Sequence, residues 1–252
     1  RLTAEVAQRD GAVLALVDVL DLVVLAGHQG GDVGRHPLGW LEGPLGLAVA
    51  ERRRSVRLFS SDPVPRELIE LAALSASTAP SGAHKQPWTF VAVRDPVVKA
   101  AIRVAAEEEE RGNYLDNRMN SEWLEAVAPL GTDHHKEFLE VAPWIVVLFE
   151  QRYELRPDGS RRKNYYVKES VGIAAGLFIA AIHDMGLATL THTPSPMAFL
   201  RRLLGRPENE RPFVMFPIGH PLPGLQVPDL RRKSLSEVFV EVDRRGDGST
   251  VR

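Results

Sequence analysis

The chain contains no cysteine. Disulfides, cysteine nucleophiles and thiolate metal sites are therefore excluded. It also lacks an excess of either charge: 31 Lys and Arg stand against 33 Asp and Glu, a formal net charge of −2. Bulk electrostatics points to neither nucleic acid nor a membrane surface. Arg52-Arg53-Arg54 and Arg231-Arg232-Lys233 are local clusters. The best apolar run, Ala12 to Gly27, carries Asp18 and Asp21 and falls short of the roughly 20 residues a membrane span needs. Asp10, Asp18 and Asp21 also argue against a signal peptide. The expected compartment is the cytoplasm. Several familiar motifs are missing too. There is no G-x-G-x-x-G after a strand, no P-loop, no G-x-S-x-G and no H-E-x-x-H. His134-His135 and His183 lack zinc-ligand spacing, so no metal is expected.

What is present is organised around Thr78 to Phe90, T-A-P-S-G-A-H-K-Q-P-W-T-F. Pro80 and Pro87 bias the residues before them toward extended backbone. Gly82 permits a turn and a close approach to a ligand. Before this loop, Pro65 opens a helix with Leu68, Ile69, Leu71, Ala72 and Leu74 on one stripe. After it, Trp88 to Val93 is a strand. Asp95-Pro96 starts a second helix, running through Ile102 and Val104 to the acidic run Glu107 to Glu110. Short helical pieces follow around Trp123 and from His135 to Val141. Trp144 to Glu150 is a buried strand, and Arg152 to Lys163 is a charged excursion with a Pro-Asp-Gly turn. Lys168 to Met185 is an apolar helix rich in small residues, stopped by Gly186. Leu187 to His192 is a strand, Pro196 to Leu204 a helix closed by Gly205, and Phe213 to Gly219 a strand. This order predicts an α/β or α+β domain on one central sheet covered on both faces. Residues 1–50 read as a poorly packed extension, helix-compatible over Arg1 to Ala26 and loop over Gly27 to Gly46.

The polar pieces permit specific chemistry. Arg53, Arg54, Ser55 and Arg57 could clamp a phosphate, or form only a solvated basic patch. Glu110 and Tyr114 are four apart and share a helix face. Lys136 could add a cation. The run Glu107 to Glu110 by itself favours a solvent-facing helix end. Thr191-His192-Thr193-Pro194 ends a strand in hydroxyls.

Together these strings resemble the nitroreductase superfamily of flavin enzymes, and within it the halotyrosine-dehalogenating iodotyrosine deiodinase branch. The matching strings are R-R-S-V-R at Arg53, T-A-P-S-G-A-H at Thr78, P-W-T-F at Pro87 and E-x-x-x-Y at Glu110. K-E-F-L at Lys136, N-Y-Y at Asn164, T-H-T-P at Thr191, L-L-G-R-P at Leu203 and V-P-D-L-R-R-K at Val227 follow in order. The resemblance implies an α+β fold with a central mixed or antiparallel sheet flanked by helices. It implies a domain-swapped homodimer with FMN at the subunit interface. Arg53, Arg54, Ser55, Arg57 and Arg232 would hold the phosphate and ribityl chain, and Pro80, Ser81 and Gly82 would lie against the ring. Thr193 would hydrogen-bond flavin N5, with Thr191 and His192 nearby, favouring one-electron dehalogenation over two-electron nitro reduction. Glu110, Tyr114 and Lys136 would bind the halotyrosine zwitterion under a lid, and the Ala83 N–H would meet its phenolate. Electrons would come from NAD(P)H, directly or through a reductase.

The sequence departs from that branch in four places. One extra residue lies between Tyr114 and Lys136, where the Pro129 to Thr132 segment also differs; His192 replaces a threonine of the animal enzymes; the residues before Glu51 do not match the aromatic-containing helix that leads into R-R-S-V-R; and no counterpart of the animal enzymes' membrane anchor is expected. The expected protein is thus a soluble, bacterial-type relative. Its FMN domain spans 51–242, ahead of a tail at 243–252. The other readings are a general nitroreductase or quinone reductase, and a non-catalytic flavin-binding protein.

Overall fold

The computed structural model describes residues 43–116 and 118–242. Its helices are α1 (Gly43–Arg52), α2 (Arg66–Ser77), α3 (Pro96–Tyr114), α4 (Ser121–Val127), α5 (Phe138–Val141), α6 (Val167–Asp184), α7 (Ala198–Leu203) and α8 (Leu235–Val238). Its strands are β1 (Trp88–Val93), β2 (Trp144–Gln151), β3 (Tyr153–Leu155), β4 (Arg161–Lys163), β5 (Ala188–Thr189) and β6 (Glu210–Gly219). The expected helical segment Arg1 to Ala26 and the C-terminal tail lie outside the described residues.

Strand β2 is the axis of the fold. It is buried from Trp144 through Glu150. Successive side chains of a strand point to opposite faces. Trp144, Val146 and Leu148 therefore enter one core, and Ile145, Val147 and Phe149 enter another. The first core is closed by α2 and α6, through Ile69, Ala72, Ala174 and Phe178 among others. The second is closed by α3, α5 and α7, through Ile102, Leu139 and Leu200. Each such fully buried large side chain contributes about 1.5–3 kcal/mol relative to exposure. The main sheet runs β1-β2-β6-β5, with every neighbouring pair antiparallel. At its edge Ser55 pairs with Thr189 in parallel, and the Val56 N–H donates to the Thr189 carbonyl at 3.2 Å. That bridge makes the sheet mixed and fixes R-R-S-V-R beside β5. Strands β3 and β4 form a separate hairpin around the Pro157-Asp158-Gly159 turn, with Gly159 at φ 80°.

Helix α3 begins as its sequence implies: the Asp95 carboxylate accepts from the N–H groups of Val97 and Val98 at 2.8 and 3.1 Å. Elsewhere the structure corrects the sequence reading. Helix α1 starts at Gly43, inside the stretch read as loop, with Pro44 in its first turn, where a missing N–H costs no hydrogen bond. Leu74, on the expected helical stripe, is exposed rather than core. The strand expected over Leu187 to His192 is interrupted after Thr189, and His192 resumes it as an isolated bridge to Met215. The register places Leu190 opposite Pro217. Proline has no N–H to donate, so the ladder fails at that pair. The Pro217 carbonyl instead accepts from Thr189 Oγ1 at 2.8 Å. Among the described residues no helix is long and apolar enough to cross a membrane.

Candidate active site

Two distant segments meet at a cleft of about 250 Å³ lined by Arg53, Arg54, Ser55, Arg57, Arg231 and Arg232, with no acidic residue in its wall. Arg232 ties the segments together: its two Nη atoms donate to the carbonyls of Glu51 and Arg53, each at 2.9 Å. Arg54 bonds the same two carbonyls. The Arg54 and Arg232 guanidinium groups are thus oriented by main chain rather than by a carboxylate. Arg231 is partly engaged by Glu237 at 2.9 Å.

A second cluster is nearly closed to solvent. Glu110 and Lys136 keep only 6% and 2% of their surface and pair at 3.5 Å. Lys136 Nζ also reaches Thr132 Oγ1 at 3.4 Å and the Asp133 carbonyl, and lies 5.3 Å above the Tyr114 ring. Burial raises the Glu110 carboxyl above its ordinary range, opposed by the charge of Lys136. Burial lowers the Lys136 ammonium, opposed by Glu110. Burial also raises the Tyr114 phenol. Arg57 links the two regions, because it lines both the arginine cleft and a second cleft beside Thr132, Asp133 and Phe138.

The T-H-T-P segment divides by side. Thr191 and Thr193 are exposed, and Thr193 opens onto a cleft of about 690 Å³ with Ser195 and Met197. His192 turns inward, with its ring edge on Phe138 at 5.5 Å and its Nε2 unpartnered. Its pKa is pushed down to about 3 by burial first, then by the charges of Lys136 and Arg57. Its backbone N–H is committed to Met215 at 2.8 Å. The structure therefore separates His192 from the two threonines that flank it in the motif.

The Thr78–Phe90 loop stands apart from these clusters. Gly82 packs against Tyr165 and Tyr166, and its N–H donates to Ser170 Oγ at 3.2 Å. Pro80 and Ala83 are exposed, and Ser81 Oγ accepts from the Gln86 N–H at 2.9 Å. Left-handed backbone falls on Ala83, His84 and Gln86, at φ 51°, 53° and 46°, rather than on Gly82. Such conformations are strained for side chains other than glycine and concentrate at ligand-contacting segments. Gly82 is required by close approach instead: an added Cβ would lie 2.5 Å from the Tyr165 carbonyl oxygen.

Two residues escaped the sequence reading. Glu107, half-buried, accepts the Lys136 N–H at 2.7 Å and Arg103 Nε at 2.8 Å. Asn113, buried, donates to the Ser195 carbonyl at 3.1 Å, joining α3 to the segment after Thr193. The signal was available, since Glu107, Glu110 and Asn113 recur at three-residue spacing on one helical face. Glu107, His135 and Glu137 cluster closely enough to hold a metal. However, Arg103 pairs with Glu107 and reaches Glu137 at 3.5 Å, so the carboxylates already have a cation.

Gly82→Ala is expected to cost about 1–3 kcal/mol of stability, because backbone must move to admit the methyl group; thermal melts measure it. A histidine held neutral below its unfolded pKa takes up a proton on unfolding. The stability that depends on neutral His192 is full above pH 6.5 and is lost as pH falls toward about 3. That loss approaches about 1.4 kcal/mol per pH unit. In melts between pH 7 and 4, His192→Thr should show a shallower loss than the parent; equal slopes would refute the assignment.

The nitroreductase family model matches residues 50–220. The iodotyrosine deiodinase of Haliscomenobacter hydrossis is 59% identical over 190 residues, which span 75% of this chain and 85% of that protein. Iodotyrosine deiodinase 1 of Rattus norvegicus is 45% identical over 192 residues, 76% of this chain and 67% of that protein. The crystal structure of oxidized iodotyrosine deiodinase bound to FMN and 3-iodo-L-tyrosine aligns with a TM-score of 0.68 and 27% identity, covering 77% of this chain and 97% of that one. A nitroreductase with bound FMN from Bacteroides fragilis shares the fold, at a TM-score of 0.57 and 20% identity. From the β2-centred α+β fold to the R-R-S-V-R and T-A-P-S-G-A-H segments, this chain belongs to the nitroreductase family, within its iodotyrosine deiodinase branch.

Proposed function

We propose that the protein is an FMN-dependent oxidoreductase that removes halogen reductively from halotyrosines. The observation that carries this reading is the buried Glu110–Lys136 pair beside Tyr114, one arginine away from an anion-ready cleft. The cleft fits the cofactor's phosphate: its arginines are aimed by backbone carbonyls, and no carboxylate competes within its wall. Arg53, Arg54, Ser55, Arg57 and Arg232 would hold the phosphate and ribityl chain. Thr191 and Thr193 offer exposed hydroxyls to the ring. Bound FMN, once reduced, would supply the electrons, and NAD(P)H, directly or through a reductase in the cytoplasm, would replace them.

The remaining work falls to groups of the polypeptide. Glu110 receives the substrate ammonium and Lys136 its carboxylate, so that a zwitterion replaces the internal ion pair without stranding a buried charge. Tyr114 covers the same group. The Ala83 N–H, free of the described hydrogen bonds, donates to the phenolate oxygen. Replacing C–X by C–H takes two electrons and one proton and releases halide. The exposed Thr193 hydroxyl would lie against the ring and favour the redox state that serves this reaction.

The site is completed by a second copy of the chain. Pro80, Ser81 and Gly82 line neither the arginine cleft nor the Thr193 cleft, which fits their being supplied by the partner. Helix α6 offers the interface: Gly172, Ile173, Gly176 and Leu177 are exposed on one face, and open space surrounds both glycines. The apolar tail residues Leu235, Val238, Phe239 and Val240 are exposed as well, as a segment exchanged between subunits would be in one copy alone. A general nitroreductase of the same fold is the second reading, favoured by the exposed Thr193 cleft of about 690 Å³.

Iodotyrosine should quench the flavin fluorescence of the yellow holoprotein. Glu110→Gln or Lys136→Gln should weaken that binding by about tenfold or more, the worth of a buried charged contact. Thr193→Ala should lower dehalogenation on the order of tenfold while sparing nitro reduction. Undiminished iodotyrosine binding in both pair variants would favour the nitroreductase reading. Gly176→Leu should leave the single chain at least as stable, because leucine is about 0.8–1 kcal/mol better than glycine in a helix. It should nevertheless give monomers that do not retain FMN, as read by sedimentation and absorbance.

A further inference from the structure

We infer that Glu107 is a positioning residue, whose carboxylate docks the backbone of Lys136 and so sets the substrate-binding cation in place before substrate arrives. The inference rests on the assignment of Lys136 to the substrate carboxylate and adds to it. Glu107 Oε1 accepts the Lys136 N–H at 2.7 Å, and the same oxygen accepts Arg103 Nε at 2.8 Å. Arg103 also reaches Glu137 and Glu140, each at 3.5 Å. Those acids lie immediately before and within α5, the helix that follows Lys136. Arg103 and Glu107 therefore fasten the segment from Lys136 to Glu140 onto α3. One turn further along the same face, Glu110 meets the other end of the lysine at 3.5 Å. Lys136 is thus held at its root by one carboxylate and at its tip by another, both from a single rigid helix.

This arrangement has a functional consequence. Among the described residues, the segment between Tyr114 and Lys136 contains only the short helix α4 and a single 3-10 turn, whereas Lys136 is held from α3 as well, by Glu107 at its backbone and Glu110 at its tip. The recognition cation is preorganised, and only the covering segment has to adjust. Glu107 stays ionised in this role. Burial opposes its charge, but the Lys136 N–H and Arg103 hold its pKa below the ordinary carboxylate range. Glu108, one residue on, is exposed, so the acidic run divides into docking and solvent-facing members.

The test compares the FMN-loaded parent with Glu107→Ala and Glu107→Gln. Backbone exchange is read first, without substrate. Hydrogen–deuterium exchange over residues 134–139 should accelerate at least about tenfold in Glu107→Ala and remain near the parent in Glu107→Gln, which keeps an acceptor oxygen. Unchanged exchange in Glu107→Ala overturns the proposal whether or not halotyrosine is the substrate. Binding is read second, by fluorescence quenching. Glu107→Ala should weaken 3-iodotyrosine about tenfold and raise KM more than it lowers kcat. It should leave FMN affinity and the binding of 2-iodophenol, which has no zwitterion, within about twofold. Equal weakening of both ligands, or loss of FMN, would mark Glu107 as merely structural and overturn the role. A parent that binds no 3-iodotyrosine, with accelerated exchange in Glu107→Ala, refutes the substrate assignment and upholds the docking of Lys136.

Discussion

The site depends on one costly arrangement, an ammonium and a carboxylate removed from water together. Taking either charge into the interior alone costs several kcal/mol, and their mutual attraction offsets this only with further hydrogen bonds. Lys136 has those bonds, from the Asp133 carbonyl and Thr132 hydroxyl, and its backbone is held by Glu107. Apolar side chains of equal volume would stabilise the fold as well or better. Under the proposed function the pair would serve recognition: a ligand carrying both charges would take its place, while a singly charged ligand would leave one buried ion unmatched.

Positive charge is handled differently. The chain as a whole is nearly neutral, yet one short cleft gathers Arg53, Arg54, Arg57, Arg231 and Arg232 from segments more than 170 positions apart. Most of its guanidinium hydrogen bonds go to backbone carbonyls, which orient the groups without cancelling their charge. No carboxylate lines that cleft, so its positive charge has no partner within the wall.

Helix α3 connects these parts. Its first turn is fixed by Asp95, its middle buries Ile102 and Ala106 in the second core, and its last turns present Glu107, Glu110 and Asn113. Those three reach Lys136 twice and the Ser195 carbonyl once. Lys136 and the Thr193 segment thus share a single rigid support. Such a support can hold side chains to the tolerances that a redox site requires.

Local pattern alone determined β1 and β2, whose apolar runs leave no alternative, the Asp95-Pro96 start of α3, and the helix ends at Gly186 and Gly205. Short-range sterics decide such features, and the sequence carries short-range sterics directly. The polar motifs were legible too, through their resemblance to a known branch. Other features needed partners that no linear pattern names. The strand through Leu190 broke because β6 set Pro217 opposite it, and His192 turned inward because strand alternation puts it on the same face as buried Leu190. Leu74 fits a helical stripe yet is exposed in a single chain. The four glutamates from 107 to 110 were indistinguishable as a run. Only the placement of Lys136 and Arg103 separated docking carboxylates from solvated ones, because the energy of a charge depends on what surrounds it in space rather than on what adjoins it in the chain.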